Sequence, residues 1–187
     1  MHLSTVAYSK RIVCLANSRK HSGTCVAGIE LVNGVLKGWI RPISERPSEE
    51  LSLDERRFED GRDVVLLDIA DIRFKQVRPH ACQTENQVID DAHHWARAGK
   101  YDVEKLLARA ETAGPLWVDG DSSYSGVNDR VPVDAADRLA SSLMLIAPSN
   151  ARAVVGLGLT KRQVRLEFNL DAIRYRLAVT DPHVEAE

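Results

Sequence analysis

The most regular hydrophobic pattern in the chain lies near its C-terminal end. Val164, Leu166, Phe168 and Leu170 alternate with Gln163, Arg165, Glu167 and Asn169. Ile173, Tyr175, Leu177 and Val179 then alternate with Arg174 and Arg176. Period two predicts strands with one buried and one wet face. The wet face therefore gathers Arg165, Arg174 and Arg176. Near the other end, "RIVCLAN" (11–17) is an unbroken apolar run, which predicts a strand buried on both faces. "TCVAGIELV" (24–32) and "VLKGWIRPI" (35–43) flank Asn33-Gly34, a hairpin signal because both turn positions need positive φ. The first forty or so residues thus predict a three-stranded antiparallel meander, with Gly28 and Gly38 marking bulges or bends.

The middle of the chain is less regular. Residues 44–61 are polar and charged, with a short helix expected around 50–58. Residues 62–79 predict a long strand, bent near Asp68. Residues 84–114 are the expected main helical region, with Asp102 as N-cap, Gly114 closing it and Pro115 following. Residues 115–138 are rich in Gly, Ser and Asp and read as connection. A second β region starts at 141–147 and continues through 151–159, 161–170 and 172–180. The chain is therefore expected to be mainly β (α+β), with two small barrels and a helical insert between them.

Composition adds limits rather than a function. Apolar residues make up 44% and charged residues 28% of the 187, as in an ordinary globular protein. The formal net charge is −2, so attraction to nucleic acid must come from a local patch. Cys14, Cys25 and Cys82 are odd in number and widely spaced, which fits free thiols in a reducing cytoplasm. No sustained apolar run suggests a signal peptide or a membrane span.

Several side-chain groups invite chemistry. Asn17, Ser18, Arg19, Lys20, His21 and Ser22 concentrate donors in what reads as a loop, suited to holding phosphate or to plain solvation. Trp39 and Arg41 share a strand face and could stack a base and touch its backbone, or Trp39 could cap the core. Arg165, Arg174 and Arg176 could track a nucleic-acid backbone, or form a solvated face with Glu167 and Asp171. Asp90, Asp91, His93 and His94 suggest acid–base or metal chemistry, but adjacent histidines do not share a helical face. There is no C-x-x-C pair, so zinc is not expected. Phe58 and Trp117 stand where a barrel nucleotidyltransferase needs lysine before Asp-Gly, which excludes that covalent chemistry. No P-loop, G-x-S-x-G, H-E-x-x-H or G-x-G-x-x-G is present.

"KRIVCLANSRKHSGTCVAGIEL", then "GWIRPIS", "TENQVI" and "FNLDAIRYRLAVTDP", resemble segments of the dual OB-containing domain family, from about Lys10 to Pro182. The resemblance implies two OB-like β-barrels and a nucleic-acid-binding or sensing role in prokaryotic conflict and defence. It directs attention to Asn17, Ser18, Arg19, Lys20, His21, Trp39, Arg41, Glu85, Asn86, Tyr175, Thr180 and Asp181. Residues 1–83 would be the first OB-like barrel, 84–140 the helical insert and connection, and 141–187 a second OB-like region. The chain stops shortly after "TDP", so that second region is expected to be incomplete or closed by a partner. The expected function is binding of nucleic acid, most simply a single strand, or of a nucleotide. No catalytic residue, metal or cofactor is assigned. Two alternatives stay open. One is an enzyme using His21 or His93 with Asp181 or Glu85. The other is a protein–protein adaptor or homo-oligomer using an exposed β edge.

Overall fold

Three strands open the chain: β1 (Tyr8–Lys20), β2 (Gly23–Val32) and β3 (Val35–Ile43). The computed structural model describes residues 6–20, 23–117, 120–157, 162–182 and 184. Asn33 and Gly34 adopt φ of 51° and 78° and join β2 to β3, as a two-residue hairpin turn requires. β1 and β2 slip register between Cys14 and Ala16, opposite Gly28, and β2 and β3 slip between Ile29 and Leu31, opposite Gly38. These are the bulges that the two glycines predict. A methyl group on Gly28 would run into the Val13 carbonyl oxygen, which is backbone and cannot swing aside. Gly28→Ala is therefore expected to destabilise the fold by about 2 kcal/mol, read as a lower urea midpoint with an unchanged m-value.

The chain divides into two compact units, Met1–Val103 and Glu104–Glu187. The first adds β4 (Asp68–Val77), β5 (Asn86–Ile89) and β6 (Ala96–Lys100). Its ladders run β1-β2-β3-β5-β4, and β4 also pairs with β1, so the pairing returns to its first strand. The β3–β5 step is parallel and the others are antiparallel. β6 pairs with β4. The enclosed core includes Ile12, Val26, Ile40, Phe58, Ile72, Phe74, Ile89 and Trp95.

Three expectations for this unit need correction. The helical insert over 84–114 is absent: that stretch holds β5, β6 and only one short helix, α1 (Val103–Leu107). All four β5 residues are buried, which a strand between two others achieves and a one-sided helix does not. The helix expected at 50–58 is a single 3₁₀ turn, Asp54–Arg56. The long strand begins at Asp68, because Leu67 has φ of 67° and Asp68 Oδ2 accepts from the Val65 amide at 3.1 Å.

The second unit contains α2 (Val133–Ala136), β7 (Ser149–Leu157), β8 (Arg162–Leu170) and β9 (Ile173–Ala178). Its sheet has the order β7-β8-β9, antiparallel throughout. Phe168, Leu170 and Tyr175 are buried on one face, with Leu116, Ile146, Leu166, Ile173 and Leu177 packed against them. Tyr175 stacks on Phe168 at 5.4 Å and meets Trp117 edge-on at 6.2 Å. The second OB-like region was expected to be incomplete or closed by a partner, and the structure shows an open sheet there. Among the described residues the sheet has three strands, and its pairing does not return on itself.

Candidate nucleic-acid interface

The wet face of the β7–β9 sheet follows from the alternation of β8. Because Phe168 and Leu170 face the core, Arg165, Glu167 and Asn169 lie on the opposite side. Register then sets Arg152 of β7 and Arg176 of β9 on either side of Glu167, with Arg174 beside Asn169. Glu167 Oε2 accepts from Arg152 Nε and Nη2 at 2.8 and 2.6 Å. Arg174 and Arg176 approach Glu167 Oε1 at 3.6 and 3.4 Å. The Glu167 carboxyl is held below its ordinary range, first by its hydrogen bonds to Arg152 against the opposing effect of desolvation, and then by all three guanidinium charges. Three arginines on one carboxylate leave an excess of two positive charges. The carboxylate is buried, while the Arg152 and Arg174 side chains are 70% and 61% exposed, so the excess faces solvent.

Arg165 plays a different part. Its side chain is only 9% exposed, and its Nη1 donates to Asp129 Oδ2 at 2.9 Å. Asp129 also accepts from the Ser123 amide and hydroxyl, both at 2.6 Å. Val127 meanwhile exchanges backbone hydrogen bonds with Arg176. Arg165 therefore anchors the 120–130 segment rather than offering itself to a phosphate. Burial raises the Asp129 pKa, but Ser123 and Arg165 outweigh it and bring it down to about 2. The unfolded carboxyl titrates near 3.9. Its stabilising contribution is then complete above about pH 4 and is lost as the pH falls towards about 2. Asp129→Asn is expected to remove that part of the acid dependence, measured as urea midpoints between those pH values.

The first unit treats its candidates differently. Asn17, Ser18, Arg19 and Lys20 are not in a loop but in β1, paired with Val26, Cys25, Thr24 and Gly23. His21 and Ser22 lie outside the described residues, as does the Lys20 side chain. Asn17 is buried: its amide donates to the Val64 carbonyl at 3.0 Å and its Oδ1 accepts from Arg56 at 2.9 Å. The side chain of buried Glu50 packs against the Gly23 end of β2, its Cγ 2.7 Å from where a Gly23 Cβ would stand.

Arg41 is ion-paired with buried Glu85 at 3.0 Å, and its amide donates to the Glu85 carbonyl. Asn86, fully buried, sits opposite Arg41 on the parallel ladder and donates to Gln83. These three residues belong to the β3–β5 junction. Trp39 is half-buried opposite Ile29. Other cations of this unit also meet carboxylates: Lys10 with Glu30, Arg11 with Asp71, and Lys75 with both Glu45 and Asp91.

In the second unit Tyr175 is on the buried face, with its hydroxyl accepting from the Leu116 amide at 3.0 Å, so it cannot reach a ligand on the wet face. Thr180 is exposed and Asp181 half-buried just beyond β9. Arg152, Asp129 and their connection to the patch were not foreseen from the sequence.

Of the histidines the enzyme alternative names, His21 lies outside the described residues and His93 is described. His93 Nδ1 lies 3.0 Å from Asp90 Oδ2, and its Nε2 faces Arg73 Nη1 at 3.1 Å. A guanidinium can only donate, so Nε2 is already accepting. Glu85 is committed to Arg41, not to His93. Cys14 is fully buried, and burial pushes its thiol up to about 12. Among the described residues no group of three His, Cys, Asp or Glu is placed to hold a metal ion, and no helix is long and apolar enough to cross a membrane.

The family model described as a dual OB-containing domain matches residues 10–187. No curated protein and no solved structure matches the chain.

Proposed function

The chain belongs to the dual OB-containing domain family, and from that premise we propose that it is a nucleic-acid-binding module that receives a single strand on the wet face of β7–β9. One observation carries the reading: Arg152, Arg174 and Arg176 share the single carboxylate of Glu167. One carboxylate cannot satisfy three guanidinium groups, so the exposed arms of Arg152 and Arg174 remain open to a phosphate while Glu167 keeps its partners. Arginine forks also suit phosphate geometry. The first unit is read as an OB-type barrel, because its five-strand ring with a parallel β3–β5 step fits that fold. Its cations are largely matched by carboxylates, so it serves the proposal as scaffold. A sensing role in a prokaryotic conflict or defence system, in the cytoplasm, rests on the family resemblance alone.

The test is a fluorescence-anisotropy titration with labelled single-stranded DNA and RNA. Binding is expected at about 50 mM salt and should weaken steeply as salt rises. Absence of association with either strand type at low salt would refute the proposal. A second reading, as an adaptor, is favoured by the edge position of β7, which pairs only with β8 among the described residues. A concentration-dependent dimer that forms without nucleic acid and masks the arginine face would support it instead.

A further inference from the structure

Tyr124 is fully exposed, its relative accessibility reaching 103%. Yet it stands on a backbone tied down on both sides. Ser123 donates twice to Asp129, and Gly126 donates to the Ser123 carbonyl at 3.2 Å. Asn128 donates from its amide to Ser122 Oγ at 2.9 Å and from its side chain to the Arg174 carbonyl at 3.1 Å. Val127 is bridged to Arg176. A side chain at Gly126 would collide with the Asp129 carboxylate, so the segment is close-packed under its tip. The same carboxylate that holds Ser123 is the partner of Arg165 on the cationic face. An aromatic ring that nothing covers is thus fixed on a segment hydrogen-bonded directly to the arginine-bearing strands.

Tyrosine has two side-chain torsions, so ordering its ring against a ligand costs little entropy. An exposed ring on a segment tied to the arginine-bearing strands matches a ligand that carries both flat bases and phosphates. We propose that Tyr124 is the base-stacking residue of the β7–β9 face, and that the ligand offers an unpaired base there. This rests on the reading of that face as a nucleic-acid interface. Because a duplex keeps its bases stacked on one another, the inference selects single strands or exposed strand ends.

The test measures three variants against a labelled single strand. Tyr124→Ala is expected to weaken binding about tenfold, within the range for losing one stacked base. Tyr124→Phe and Tyr124→Trp should bind like the wild type, because the ring and not the hydroxyl makes the contact. The salt slope of Tyr124→Ala should equal that of the wild type, because no phosphate contact is lost. Salt-sensitive wild-type binding with undiminished affinity in Tyr124→Ala would overturn the stacking role and leave the interface reading intact. A wild type that binds no strand at all would remove the interface and Tyr124's role together. The residue's full exposure keeps the fold out of the comparison.

Discussion

Replacing Arg152, Arg174 and Arg176 together by alanine is expected to weaken single-strand binding by about a hundredfold at low salt and to flatten its salt dependence. Each lost phosphate contact lowers the log–log salt slope by about 0.7 on a single strand, so the slope should fall by about 2. The affinity loss corresponds to about 2.8 kcal/mol, or roughly 1 kcal/mol per guanidinium. The Arg152 and Arg174 side chains are mostly exposed, but the triple change leaves the buried Glu167 carboxylate without its arginines, so urea unfolding of the variant accompanies the titration and binding is compared on the folded form. The reciprocal substitution sharpens the result. Glu167→Gln removes the one negative charge among the three arginines and should tighten binding at low salt. Anisotropy titrations at several salt concentrations read both effects. A triple variant that binds with the wild-type slope would mean that these arginines touch no phosphate.

Asn17→Leu is expected to cost about 3 kcal/mol of stability while leaving the salt slope of binding unchanged. Asn17 connects the Val64 carbonyl to the guanidinium of Arg56, which is 6% exposed. Leucine would fill the volume but leave that carbonyl and one guanidinium arm without a partner. Arg56 keeps its ion pair with Asp63 at 2.8 Å, which bounds the loss. The measurement is urea unfolding of the variant beside a titration of its folded form. A stable Asn17→Leu protein that had lost binding would return Asn17 to the ligand site.

The contrast between these residues explains what was legible in the sequence. β8 and β9 could be read because each has one dry and one wet face, so period two is visible in the residues themselves. Asn33-Gly34 was legible because its backbone geometry is local. β5 was not: Asn86 and Gln87 are buried polar residues in a strand flanked on both sides, and polar identity suggests a surface. The helix-favouring stretch after Asp102 stops at Leu107, because Leu106 is its only buried residue and supplies no stripe to hold further turns.

The candidate site divides in the same way. Arg174 and Arg176 stand out through alternation. Arg152 lies in a run of Ala, Val and Gly on an edge strand exposed on both faces, so it carries no period. Asp129 and Tyr124 take their places through hydrogen bonds to residues distant in sequence, which no local pattern announces. The donor-rich stretch 17–20 misleads for the converse reason. In the extended strand Asn17 is buried while Arg19 is exposed, whereas a loop could have aimed their side chains together.

The most direct test of the central claim is to map amide chemical-shift changes by NMR as a short single strand is titrated into the full chain. Changes are expected to concentrate on Arg152, Glu167, Arg174 and Arg176 and on residues 122–128. Changes confined to β1–β5 of the first unit, with the β7–β9 face silent, would contradict the claim.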